Sequence, residues 1–243
     1  NWISAGAVDP RTGDAPLAAS AINYDAALKF WSFQPLSPTD VPKIRTRNWA
    51  VTDIDRYILS SLEKQKLSPA GPAAPGTLLR RAYFDLVGLP PSPDQLQAFL
   101  SDETEEAFEK VIDQLLKSPQ YGERWGRHWL DVARYGEDQA HTFKARKYPL
   151  GYRYRDWVVA AINQDMPYDQ FLVNQIAGDL TGEPDRHERL AALGLFALGP
   201  VYYQDNGEKA KALADEWDDR VDTLTRGILG LTVSCARCHD HKF

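Results

Sequence analysis

Three residues near the end of the chain have the types and the spacing for chemistry. Positions 235–239 read Cys-Ala-Arg-Cys-His. Two thiols three residues apart can each add across a vinyl group on one edge of a haem. The His beside the second thiol then lies under the macrocycle as the proximal iron ligand. The spacing predicts one covalent haem c on Cys235, Cys238 and His239. Three other readings stay open on these residues alone. The Cys pair could form a redox disulfide, although that chemistry favours a helix start after a strand, and here a helix is expected to precede it. Cys235, Cys238, His239 and His241 could bind zinc, although four ligands within seven residues are cramped. The thiols could also be inert and buried. The chain has only two Cys, so no disulfide framework is expected.

A haem iron in an electron-transfer protein takes a second axial ligand, Met or His. The single Met, Met166, sits between Asp165 and Pro167 in an expected inter-helix loop. His128 shares a helical face with Trp125, Trp129 and Val132, which could form an aromatic haem wall. His141 falls in a loop beside Thr142. His241 is too near His239 to reach the opposite face, and His187 lies in a charged run expected to be solvated. Haem propionates need cationic or hydrogen-bonding partners. Arg134 and Tyr135 are the first candidates, with Arg153 and Arg155 behind them. Asp131, Asp138, Asp179 and Asp215 show no paired spacing for acid–base work. No phosphate-cradling loop or nucleophile motif is present.

The elements that must position these groups read as helices. Ile54, Tyr57, Ile58 and Leu62 recur at helical spacing from Asp53. Thr77 is a candidate cap for a helix through Leu86, stopped by Gly88, Pro90 and Pro91. Ser92-Pro93 opens the next. Further helices are expected over 103–117, 120–135, 154–163, from Pro167 through Ile176, and over 186–198. The last should run from about 208 to 233, with Leu213, Trp217, Val221, Leu224, Ile228 and Leu231 as one stripe leading to Cys235. No alternating strand pattern competes, so the fold class is mainly α, an irregular multi-helix domain.

Residues 11–50 are rich in Pro, Ser, Thr and Ala and read as an extended linker. The helical haem-binding domain then occupies 51–243, and is expected to continue past Phe243. The formal net charge is −6, which argues against nucleic acid as a main partner. No run of 18 apolar residues exists, so no transmembrane segment is expected in this piece.

Longer pieces carry a family resemblance. They include Trp31-Ser-Phe-Gln-Pro35, Arg80-Arg-Ala-Tyr-Phe-Asp-Leu-Val-Gly-Leu-Pro-Pro91 and Arg127-His-Trp-Leu-Asp-Val-Ala-Arg-Tyr135. Others are Pro167-Tyr-Asp-Gln-Phe171, Gln175-Ile-Ala-Gly-Asp-Leu180 and Gly230-Leu-Thr-Val-Ser-Cys-Ala-Arg-Cys-His-Asp-His-Lys242. From about residue 30 onward the chain resembles the planctomycete-type cytochrome c proteins, large exported proteins with a c-type haem motif and domains of unknown function. The resemblance implies that residues 1–10 are the tail of an upstream cytochrome c-like domain. It also implies a His near position 141, which ranks His141 ahead of His128 as distal ligand.

The function expected is electron transfer by one covalent haem in an exported, periplasmic redox protein. Its partners would be a redox protein or other domains of the same chain. Whether it also catalyses a reaction stays open. The alternative is a haem enzyme or sensor with an open distal face, since the domain is larger than one haem requires.

Overall fold

The computed structural model describes residues 23–46, 48–139, 146–182, 186–198 and 208–237. Residues 1–10, His141, Cys238, His239 and His241 lie outside them. The chain divides into two compact units between Gly71 and Pro72.

The first unit holds a single helical turn, α1 (Tyr24–Ala27), a 3-10 turn at Trp31–Phe33, an extended stretch, and α2 (Asp53–Lys64). A capping box starts α2: the Thr52 hydroxyl accepts from Asp55 N–H, and the Asp55 carboxylate accepts from Thr52 N–H. The extended stretch is fixed to the helix by side chains. Glu63 Oε1 accepts from the backbone N–H of Arg45 at 2.9 Å and of Thr46 at 3.0 Å. The Tyr57 hydroxyl meets Thr39 Oγ1 at 2.8 Å. The helical spacing of Ile54, Tyr57, Ile58 and Leu62 does fall in α2, where Ile54, Tyr57 and Ile58 are exposed and Leu59 is the buried residue.

The second unit is mainly helical. It begins with α3 (Pro75–Leu86), α4 (Pro93–Ser101), α5 (Ala107–Leu116) and α6 (Pro119–Val132). Proline opens three of these four, where a missing N–H costs nothing. Thr77 does not cap α3, which starts at Pro75. Ser92 does cap α4, in a capping box with Gln95. A two-residue antiparallel ladder follows, β1 (Asp138–Gln139) with β2 (Arg146–Lys147). Next come α7 (Tyr152–Asn163), α8 (Tyr168–Ala177), α9 (Arg186–Ala192) and α10 (Gly194–Ala197). The expected 186–198 helix is thus broken at Leu193.

The α6–α7 pair is the centre of this unit. A Cβ at Gly122 would stand 2.5 Å from the Val159 carbonyl oxygen, so only glycine lets the helices meet here. Asn163, at the end of α7, clamps the first turn of α6. Its Oδ1 accepts from Gly122 N–H at 2.8 Å and its Nδ2 donates to Pro119 O at 3.1 Å. Leu130, Tyr154, Val158, Ala161, Phe171 and Leu195 form the core between α6, α7, α8 and α10.

One polar network runs through that core. Gln175 is 0% exposed. Its Oε1 accepts from Trp129 Nε1 at 2.8 Å and from the Tyr154 hydroxyl at 2.7 Å, and its Nε2 donates to Phe171 O at 3.2 Å. Burial pushes the Tyr154 phenol well above its ordinary range, so it stays a donor.

The last helix, α11 (Lys209–Leu224), continues as a π-helical turn over Thr225–Leu229 and ends at Gly230. Gly230 has φ +65°, a left-handed conformation that glycine adopts without a Cβ penalty. The helix therefore stops short of residue 233. Its apolar stripe is largely solvent-facing, with Trp217 at 61% exposure.

Candidate functional site

The motif segment is placed by α11. After Gly230 the chain turns back, and residues 234–237 form a 3-10 turn packed on the helix. Cys235 is a free, exposed thiol. Arg237, the third residue of the motif, pairs with Asp215 and, at 3.8 Å, with Asp218.

Those carboxylates belong to an acidic row. Asp215, Asp218, Asp219 and Asp222 are spaced to share one face of α11. Each meets an arginine. Arg237 takes Asp215 and Asp218, Arg134 takes Asp219, and Arg226 takes Asp222 at 3.0 Å. Asp215 and Asp219 are one helical turn apart, roughly 6 Å of rise. Arg134 and the motif turn therefore dock on the same stretch of helix.

Arg134 follows the end of α6 with φ +53°, a conformation unusual for a side-chain-bearing residue. Its guanidinium is only part-satisfied. Nε and Nη2 are buried with no hydrogen-bond partner among the described residues, and so is Asp219 Oδ2. Burial raises the Asp219 carboxyl above its ordinary value, and the attraction of Arg134 does not overcome it; Asp218 and Asp222 push the same way. A further anionic oxygen at Arg134 would satisfy N–H groups that Asp219 leaves unmet.

Tyr135, the other predicted propionate partner, is engaged differently. Its hydroxyl donates to Glu137 Oε1, which also receives Arg155 Nη1 at 2.6 Å. Burial and that carboxylate hold the phenol in its protonated form. Arg155 is thereby committed too. Arg153 lines a separate apolar cavity with Leu150 and Leu190.

The distal candidates separate in space. His128 lines one cavity with Trp125, Trp129 and Val132, in keeping with their shared helical face, and Met166 lines the same cavity. Met166 lies in the α7–α8 loop, and its sulfur accepts from Asn174 Nδ2 at 3.6 Å. Val132 of this lining also packs against the far part of the last helix. A Cβ at Gly227 would stand 2.8 Å from Val132 Cγ1. Gly227 is nine residues beyond Asp218, roughly 14 Å along the helix. The strand β1 begins at Asp138, four residues after Arg134, and His141 lies outside the described residues.

Among the described residues, no three His, Cys, Asp or Glu side chains converge as a metal site. No helix among them is long and apolar enough to cross a membrane.

The PSCyt2 family model, described as a protein of unknown function (DUF1549), matches residues 53–243. The chain belongs to the PSCyt2 family. Domains of the PSCyt2 kind are associated with planctomycete cytochrome c proteins. No curated protein and no solved structure matches the chain. The PSCyt2 match includes α2, the acidic row of α11 and the whole Cys-Ala-Arg-Cys-His segment.

The spacing of Cys235, Cys238 and His239 was readable from sequence, but the Arg134–Asp219 and Arg237–Asp215 pairs were not. Nothing local in the sequence couples positions 134 and 219. The one available signal was the Asp row itself, spaced at three and four residues on an otherwise amphipathic helix.

Proposed function

We propose that this chain is the haem-carrying, electron-transfer part of an exported redox protein. Cys235 and Cys238 would hold haem c through thioethers, His239 would be the proximal iron ligand, and Arg134 would face a propionate. Bound there, the group supplies a one-electron iron couple. The observation that carries this reading is the docking of Arg237 one helical turn from Arg134. The turn that carries the exposed thiol and the cation with unmet buried N–H groups both dock on this stretch of α11 through ion pairs.

This chain's residues have defined tasks in that reading. Asp215 and Asp218 hold the motif turn against the helix. Asp219 orients Arg134, and the backbone at Arg134 points its side chain toward α11 rather than onward from α6. Of the distal candidates, His141 is favoured. The family resemblance implies a His near that position, and β1 begins four residues after Arg134, whereas His128 and Met166 line a separate cavity. Export follows as part of the proposal, because thioether attachment of haem is carried out outside the cytoplasm.

The test is a pyridine haemochrome spectrum of the denatured chain, produced in a host that exports it and attaches haem c. A c-type spectrum with one iron per chain is expected, lost in the Cys235→Ala, Cys238→Ala double variant. Zinc without iron in the purified chain sinks the reading.

A further inference from the structure

The cavity between α6, the α7–α8 connection and α8 has chemistry that the haem reading leaves unused. It encloses about 420 Å³ and opens to solvent. Its walls are aromatic: Tyr121, Trp125 and Trp129 from α6, with Tyr168 and Phe171 from α8. Asp165 is the one carboxylate in the lining, and no Lys or Arg contributes to it.

The rings are inclined to one another. Tyr121 and Trp125 meet at 43°, Trp125 and His128 at 63°, and Trp129 and Phe171 at 75°. Parallel walls would clamp a flat ligand. Inclined rings leave a rounded volume rather than a flat slot, a shape that suits a compact cation.

The polar groups of the lining are the Tyr121 and Tyr168 hydroxyls, the His128 ring, the Trp129 N–H, the Met166 sulfur and the Asp165 carboxylate. The Trp129 indole N–H is already taken by Tyr154 and Gln175, and the Met166 sulfur by Asn174. The Asp165 carboxylate is exposed and has no ion-pair partner among the described residues. Its backbone has φ +50°, which fixes it at the turn into Met166. With no Lys or Arg in the lining and Asp165 as its carboxylate, the cavity favours a cation over an anion. The net charge of −6 draws cations to the molecule as a whole.

We propose that this cavity binds an alkylated ammonium ion, with the Trp125 and Trp129 rings around the charge and Asp165 beside it. The site is independent of the haem reading and needs no iron for its readout.

Choline and its neutral isostere 3,3-dimethylbutan-1-ol separate charge from shape. Each is titrated into the full chain at constant ionic strength and followed by tryptophan fluorescence and calorimetry. Choline should bind saturably and at least about tenfold tighter than the alcohol. Trp125→Ala and Asp165→Asn should each weaken choline several-fold. Both positions are exposed, and an unchanged thermal melt checks that the variants fold; if Trp125→Ala does not, Trp125→Leu replaces it. Equal binding of alcohol and choline overturns the proposal. So does unaltered choline binding in the Asp165 and Trp125 variants, or no saturable binding at all.

Discussion

Arg134 reaches Asp219 across 85 residues of chain and ties the end of α6 to the middle of α11. The pair is partly buried, at 30% and 17% side-chain exposure, and three of its polar atoms have no partner among the described residues. Removing one member leaves the other charge in a poorly solvated place. Arg134→Ala should therefore cost about 2 kcal/mol, less than a fully buried pair because water still reaches the guanidinium. Urea unfolding of the variant measures it. Arg134→Gly loses the same pair but relieves the left-handed backbone, so it should be about 1 kcal/mol more stable than the alanine variant. Equal stability of the two would mean that the backbone at 134 is not strained.

The same residue bears on the redox reading. A cation beside a propionate favours the ferrous state, which carries less positive charge. In the haem-loaded chain, Arg134→Leu should lower the reduction potential. Tyr135→Phe should leave it nearly unchanged, because the Tyr135 hydroxyl is spent on Glu137. Potentiometric titration of both variants distinguishes them, and a larger shift for Tyr135→Phe would reverse the assignment.

Close packing at the α6–α7 crossing gives a second stability prediction. Gly122→Ala places a Cβ against the Val159 carbonyl and the Asn163 amide. The helices must separate, at a cost of about 1–3 kcal/mol. Asn163→Ala should cost about 1–2 kcal/mol through two lost hydrogen bonds to the first turn of α6. Because the two residues touch, the double variant should be less destabilised than the sum of the two. Thermal melts of the three proteins provide the comparison.

Gln175 offers a third. Replacing it with Leu leaves the Trp129 N–H and the Tyr154 hydroxyl without their shared acceptor in the core, a loss of about 1–3 kcal/mol. Adding Trp129→Phe and Tyr154→Phe removes the stranded donors and should recover part of it. Denaturant unfolding that shows no recovery would mean the cost lies in packing.

Acid should act on Asp55 and on Asp219 in opposite directions. Backbone N–H groups of Thr52 and Val51 lower the Asp55 carboxyl below 3.8. Its contribution is present above that value and lost as pH falls through the lower folded pKa. Asp219 is raised above 3.8 by burial, so the folded state holds its proton more tightly than the unfolded one. That contribution is present below 3.8 and lost as pH rises through the folded pKa. Asp55→Asn should flatten the acid limb of α2 unfolding, followed by helix-specific hydrogen exchange, while leaving the second unit unaffected.

Local signals carried much of the helical layout. Ser92-Pro93 marks the start of α4, Pro167 that of α8, and Trp125, His128, Trp129 and Val132 do share a face. These features depend on neighbours within a turn or two. What escaped the sequence depends on partners far away in the chain. Gln175 reads as an ordinary helical polar residue until Trp129 and Tyr154 are placed against it. The stripe of Leu213, Trp217 and Val221 has the period of a buried face, yet period reports only that residues lie together, not what covers them. The break at Gly230 was within reach, since a glycine after a run of helical apolar residues is a common stop signal.

Gly230 turns the motif back onto the helix that delivers it, and Arg237 fastens it there through ion pairs with Asp215 and Asp218. Ionic fastenings loosen in salt and release without disturbing an apolar core. The fastening lies outside the apolar core, and the Cys235 thiol is already exposed on the folded scaffold. If haem attaches here as proposed, its attachment need not wait on the assembly of the helices or disturb it.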